Sequence, residues 1–361
     1  MENGMTDGPT SGAPRARVSL LGVAAAVVGT ALFVFYVRRA GLGDIADDIQ
    51  RLGWGFLGIV ALGGMRFAAR AMAWRSCVRG SHRLGPWLAF RAVVAGDTVG
   101  NVVTLLSVLV SEPAKALFAR DREPVSRTLP ALAVENLFYA LSAAFVIASG
   151  GLALAFRLRT SEVRWLVGVA LVVVTLIVLV AVAHAIIWKR IRVASGFFDL
   201  LERRGSGGRL SSWCARVRRV EDRIYGLYPR EPRRLARLAA WELIFHGLAV
   251  LEVYVMLSLI STITPTVLDA FLLESTNRFI QVAFKVVPMR IGVDEAGTAT
   301  FAELLAFGSA AGVTLAIVRK ARQLVWMAVG GGFLLSQGLS VTRIIAEAEA
   351  ARAGDDVAGH A

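Results

Sequence analysis

Cysteine and histidine are scarce in this chain, with two and four copies in 361 residues. Cys77 and Cys214 each lie in a basic stretch, which implies neither a disulfide framework nor a thiol-based metal site. His246 stands four residues after Glu242 and shares a helix face with it, but no third ligand is near. A structural hydrogen-bonded pair is the expected reading. The chain has no metalloprotease-type histidine pair and no nucleophile elbow, and Gly205 to Gly208 is not followed by the Lys and Ser or Thr of a phosphate loop. These absences predict no metal, no cofactor and no catalytic residue, and they argue against an enzyme.

Apolar residues are abundant. They make up 56% of the chain, and the mean hydropathy is +0.60, far from the usual mix of a soluble domain. Val18 to Val37, Trp165 to Trp188 and Gln323 to Thr342 are uncharged runs of the length that crosses a bilayer. Six further apolar segments carry ionisable residues at mid-depth. These are Trp54 to Trp74, Trp87 to Ser111, Thr128 to Phe156, Leu235 to Ile263, Thr264 to Val287 and Ala296 to Val318. A charge facing lipid costs several kcal/mol, so such groups are expected to face a bundle interior or a wet cavity.

The net charge of +13 is concentrated. Thirteen basic residues against five acidic ones give Lys189 to Arg234 a charge of +8. A basic loop beside a membrane reads as an orientation signal, or as a surface for anionic lipid carrying Arg216, Arg218, Arg219 and Arg223 with Trp213, Tyr225 and Tyr228. Nucleic acid is not an expected partner. Residues 1–17 read as a disordered cytoplasmic N-terminus, 18–343 as one transmembrane domain containing the basic loop 188–234, and 344–361 as a short tail.

Keeping both basic loops in the cytoplasm requires Trp87 to Ser111 and Thr264 to Val287 to enter and return without crossing. The expected architecture is an all-α, polytopic transmembrane helix bundle of about six full spans plus two re-entrant or broken helices, with an inverted repeat suggested. The final Ala296 to Val318 and Gln323 to Thr342 segments read as separate spans. Trp54, Trp74, Trp87, Trp165 and Trp188 fall at segment ends, as an interfacial aromatic belt does.

Both broken elements carry a polar stripe. Asp97, Asn101, Thr104 and Ser111 lead into Glu112-Pro113, while Glu274, Arg278, Gln281 and Lys285 share one face and lead into Pro288 through Gly292 to Glu295. Arg66 with Arg70 either line a polar groove or snorkel to the interface beside Trp74. Glu274 with Arg278 either belong to that groove or form a simple pair on a wet helix. Gly330 to Gly332 reads as a close helix-packing site.

With these motifs in place, the chain resembles the flippase-like integral membrane proteins related to the transmembrane domain of lysylphosphatidylglycerol synthase. The carriers are Arg70 to Arg75, Gly96 to Asn101, Ser111 to Lys115 with Glu112 and Pro113, Glu135, the run from Pro288 through Gly292 to Glu295, and Arg322. Members place a proline and a glycine before the first glutamate, where this chain has Leu106 and Ser111. The resemblance implies handling of lipid. The aminoacylating relatives carry a large soluble C-terminal domain, and with only the segment from Arg343 to Ala361 after the last span, lysyl transfer is not expected.

The expectation is an integral protein of the bacterial cytoplasmic membrane, N-terminus inside, that binds and flips an anionic phospholipid or a polyprenyl- or isoprenoid-linked lipid. Arg66, Arg70, Asn101, Arg278, Lys285 and Arg322 would bind the headgroup, and Glu112, Glu135 and Glu295 would balance charge or carry a proton. Pro113, Pro288 and Gly292 would break the helices. Expected partners are membrane lipids, with a second copy or a lipid-processing enzyme as protein partner. The alternative is a membrane-embedded enzyme or accessory subunit in a glycolipid or hopanoid pathway.

Overall fold

The computed structural model describes residues 31–78, 84–102, 107–158, 231–284 and 290–338, with isolated positions between 174 and 228 and at 287. The expected terminal segments, most of the Trp165 to Trp188 span and nearly all of the basic loop lie outside the described residues, as do Lys285 and Pro288. Residues 31–40 are helical and lead into α1 (Leu42–Leu52) and α2 (Gly55–Cys77). Next come α3 (Pro86–Val102), α4 (Ser107–Phe118) and α5 (Val125–Leu158). The second half contains α6 (Pro232–Ile260), α7 (Val267–Ala283), α8 (Val293–Leu304) and α9 (Ser309–Ser336).

Every element among the described residues is a helix, as a lipid-embedded backbone must be when no water satisfies its polar groups. The helices Gly55–Cys77, Val125–Arg157 and Pro232–Ile260 are long and apolar enough to cross a membrane. By contrast, α3 and α7 have 17 residues each and α4 and α8 have 12. At 1.5 Å per residue these reach about 25 and 18 Å, short of the roughly 30 Å hydrocarbon layer.

The short helices pair into two hairpins. Gly96 of α3 packs on Ser111 and Lys115 of α4, and Ile280 of α7 packs on Gly297 of α8, so each pair runs antiparallel. The same order therefore occurs twice: a long helix, a hairpin of long and short arms, then another long helix. α2 and α6 pack together antiparallel, with Gly55 at the start of one against Leu259 at the end of the other. The helices that open the two units thus run in opposite directions. The first hairpin packs through α3 on α9, and the second through α7 on α5.

Two apolar cores, each drawing on both halves, surround the hairpins. One gathers Trp74, Leu84, Val99, Phe118, Leu132 and Leu238 around the first hairpin. The other gathers Ile59, Met256, Ile260, Leu273 and Leu315 around the second. α1 closes the second core with Leu52, and its Asp48 accepts a hydrogen bond from the Thr314 hydroxyl at 3.2 Å. Burial pushes the Asp48 carboxyl above its ordinary range, which the Thr314 bond and Arg51 partly offset.

Several expected boundaries change. The first broken element is a pair of helices that runs past Ser111 to Phe118, and Thr264 to Val287 supplies only the first arm of its hairpin. Asp269 lies at the N-terminus of α7, where its carboxylate accepts from the Thr266 backbone and hydroxyl at 3.0 and 2.6 Å. Ala296 to Val318 is not a span, because the chain turns between α8 and α9 with positive φ at Ala306 and Gly308. Its second part joins the next segment as α9, placing Arg319, Lys320 and Arg322 inside a helix and not in a loop. Trp74 is fully buried, its indole donating to the Thr128 carbonyl at 3.3 Å, so it is a core residue and not part of an aromatic belt.

The crossings between halves need small residues. A Cβ on Gly330 would meet the Thr98 side chain and lie 2.8 Å from the Val94 carbonyl, and one on Gly150 would meet Ser275. Gly331 and Gly332 have open space, so the packing role belongs to Gly330 alone. Gly330→Val should therefore overpack the α3–α9 crossing by about 1–3 kcal/mol and lower the Tm of the detergent-purified protein by several degrees. Gly331→Val should leave it unchanged.

Candidate functional site

Between the two apolar cores lies a cavity of about 320 Å³. Gly63, Arg66, Phe67 and Arg70 of α2 form one wall, and Arg322, Gln323 and Trp326 of α9 another. The first hairpin adds Asp97, Asn101, Ser111, Glu112 and Lys115, and the second adds Arg278, Gln281 and, just before α8, Arg290. Tyr139 of α5 and Phe245 of α6 complete it. Both hairpins and all four long helices thus meet at one polar space. Its walls carry six Lys or Arg side chains against two carboxylates.

The acids that hold these cations stand mostly behind the wall. Glu252 of α6, 1% exposed, takes Arg66 at 2.8 Å and Arg322 at 3.0 Å, tying α2, α6 and α9 together. Arg70 pairs with Glu135 of α5 at 2.8 Å and donates to Asn136 at 3.1 Å. Arg278 pairs with Glu274 at 2.8 Å and donates to the Tyr139 hydroxyl at 2.9 Å, while Arg319 approaches Glu274 at 3.6 Å. Lys115 holds Glu112 at 2.7 Å.

Aromatic faces supply further contacts for the guanidinium groups. Arg66 and Arg278 each lie 5.0 Å from the Phe245 ring centroid, and Arg70 lies 4.0 Å from that of Tyr139. Donors remain open: Arg66 Nε and Arg278 Nη2 on the wall, and both Nη groups of Arg319 behind it, are buried with no hydrogen-bond acceptor. Gln323 donates to Asn101 at 2.8 Å, and Asn101 donates to Asp97 at 2.8 Å, linking α9 to the first hairpin.

Of the residues singled out from sequence, Arg66, Arg70, Asn101, Arg278, Arg322 and Glu112 line this cavity. Arg66 and Arg70 do not snorkel, because their charges meet Glu252 and Glu135 inside the bundle. Glu274 and Arg278 are 2% and 3% exposed, so they are a buried pair and not one on a wet helix. Glu135 lies behind the wall, joined to it only through Arg70.

Glu295 is elsewhere. It is fully buried, accepts from the Gly292 backbone N–H at 2.7 Å and pairs with Lys320 at 2.6 Å, so it caps α8 and balances that lysine outside the cavity lining. Gly292, with φ +82°, breaks the chain where α8 begins. Pro113 does not break a helix: it lies within α4, which begins six residues earlier and continues to Phe118.

Sequence reasoning missed Lys115, Arg290, Tyr139, Phe245 and Gln323 on the wall, and the role of Glu252 behind it. Lys115 was readable, since it follows Glu112 by three residues on one helix face. Phe245 had no signal, because a phenylalanine in an apolar helix reads as core. Glu242 and His246 do form a structural cluster, but through Ser142, which lies 2.9 and 3.0 Å from them. Among the described residues no group of three His, Cys, Asp or Glu side chains could hold a metal ion.

Comparison with known proteins agrees with the arrangement. Residues 19–331 match the family described as Lysylphosphatidylglycerol synthase TM region. No curated protein and no solved structure matches the chain.

Sharing one carboxylate between two arginines makes a specific demand on stability. Glu252→Gln leaves both Arg66 and Arg322 without their acid, and breaking a buried pair in this way costs about 3–5 kcal/mol. Arg66→Gln leaves Glu252 with Arg322 still in place. The Tm in detergent should fall several degrees further for Glu252→Gln than for Arg66→Gln, and equal losses would mean that Glu252 does not hold both cations.

Proposed function

We propose a function from one premise: this chain belongs to the lysylphosphatidylglycerol synthase TM region family, and it is an integral membrane protein of a family that acts on lipids. In our reading it binds the headgroup of an anionic phospholipid or a polyprenyl- or isoprenoid-linked lipid in the central cavity and carries it across the bilayer while the tails stay in lipid. The observation that supports this is the meeting of six cationic side chains from both halves at one cavity between two apolar cores.

The chemistry follows from desolvation. An anionic headgroup cannot enter hydrocarbon without replacing its hydration, and guanidinium groups already fixed by carboxylates and aromatic faces offer charge-assisted donors in its place. Arg66, Arg70, Arg278 and Arg322 supply those donors. Asn101, Gln281 and Gln323 offer neutral contacts to ester or hydroxyl oxygens. A volume of about 320 Å³ suits a headgroup and leaves no room for two acyl chains.

We place the protein in a bacterial cytoplasmic membrane with its N-terminus inside, on the distribution of basic residues. Membrane lipids are the partners in this reading, with no nucleic acid and no chemical step on the substrate. A second copy or a lipid-processing enzyme would be the protein partner.

The test is headgroup translocation in proteoliposomes carrying a labelled anionic phospholipid. Arg70→Gln and Arg278→Gln should each lower the initial rate about tenfold or more, the loss of one charge-assisted contact. Arg91→Gln, outside the cavity lining, should not. Wild-type rates in both cavity variants would refute the assignment. Lipid mass analysis after expression distinguishes the rival class, since a new lipid species would mark an enzyme.

A further inference from the structure

We infer that the cavity is matched to a headgroup bearing two negative charges, a phosphomonoester or a diphosphate, in preference to a singly charged phosphodiester. This rests on the reading of the cavity as a headgroup site and adds the charge of what it holds.

Two carboxylates are oversubscribed. Glu252 lies between Arg66 at 2.8 Å and Arg322 at 3.0 Å, and Glu274 between Arg278 at 2.8 Å and Arg319 at 3.6 Å. Arginine does not deprotonate in proteins, so each location carries two positive charges on one negative. Elsewhere in the network the numbers match. Glu135 takes Arg70, Glu112 takes Lys115, and Asp294 with Glu295 take Arg290 and Lys320. Asp97 and Glu242 also lie within the field of these arginines and lower the total. Neither makes an ion pair among the described residues, Asp97 accepting from the Asn101 amide and Glu242 from the Ser142 hydroxyl, so in direct contacts Glu252 and Glu274 each still face two cations.

The open donors lie at the same two positions. Arg278 Nη2 has no acceptor although the residue is 3% exposed and lines the cavity, and Arg66 Nε is likewise buried without an acceptor, both guanidinium groups lying 5.0 Å from the Phe245 ring centroid. A buried guanidinium donor without an acceptor is costly, and an anionic oxygen at each position removes that cost. A phosphodiester brings one charge for two positions. A phosphomonoester near pH 8, above its second pKa of about 6, brings two.

The test compares dioleoyl phosphatidic acid with dioleoyl phosphatidylglycerol, which share chains and differ in headgroup charge, for binding to the purified full chain at pH 8. Inorganic phosphate is the third ligand. We expect the Kd for phosphatidic acid to be about tenfold or more below that for phosphatidylglycerol, as one extra charge-assisted contact gives. Inorganic phosphate should bind far more weakly. Arg66→Gln and Arg319→Gln each return one carboxylate to a single arginine without orphaning it, so both should fold and lose most of that preference.

Equal affinity for the two lipids would overturn the two-charge inference and leave the anionic groove standing. Binding of neither would remove both. Inorganic phosphate binding as tightly as phosphatidic acid would assign the site to a soluble anion and overturn its lipid part. A preference kept in both variants would show that the shared carboxylates are not its source.

Discussion

An arginine stays protonated wherever a protein places it, so lining one cavity of a helix bundle with five of them obliges the fold to deliver carboxylates beside them. The helix arrangement can be understood from that requirement. Glu252 is carried on α6, Glu135 on α5 and Glu274 on α7, and each meets an arginine within 2.8 Å. Two of these contacts join different helices, α2 to α6 and α2 to α5. The charged layer therefore works as a cross-brace between the halves as well as a wall.

Apolar packing alone would not set this geometry, because between helices in lipid the hydrophobic effect gives little preference for one register over another. Small residues and buried charges supply the register instead. Gly330 against Thr98 and Gly150 against Ser275 bring the hairpins close to the long helices. The ion pairs then fix the depth at which they cross, between an apolar core around Trp74 and another around Met256. The short helix arms follow from the same logic, since a hairpin that ends at the charged layer can satisfy its tip with polar side chains and water.

Much of this was legible in the chain itself. Membrane class, the two interrupted elements and most of the wall cations follow from charges placed at helical spacing within apolar runs. The family resemblance followed from the order of short motifs, and it holds across most of the chain. What escaped was segmentation. Hydropathy sees no difference between two short antiparallel helices and one span, so the arm from Val293 to Leu304 was merged with the start of α9. That merger put Arg319, Lys320 and Arg322 in a loop when they lie inside a helix. The partners of Arg66 and Arg322 were also hidden, because Glu252 is 186 residues from Arg66 and nothing local marks that distance. Trp74 was misread for a related reason: an indole near a segment end looks interfacial until Thr128 appears opposite its N–H.

A structural role alone accounts poorly for the layer. Replacing a buried ion pair with well-packed apolar residues is often neutral or stabilising, so a bundle built only for stability has little use for arginines at this depth. It has less use still for two arginines on one carboxylate, since the second pays its desolvation against an acid already occupied. Glu252 and Glu274 both hold this arrangement, and α9 supplies the second cation to each, Arg322 and Arg319, three residues apart on one face. The same helix presents Gln323 to Asn101 of the first hairpin. Positive charge in excess of its acids is thus concentrated where α9 passes between the two hairpins, with open donors on Arg66 and Arg278 facing the cavity between them. Open donors on cations that converge on one cavity are the feature that a purely structural charged layer leaves unexplained, and an anion from outside the chain would satisfy them.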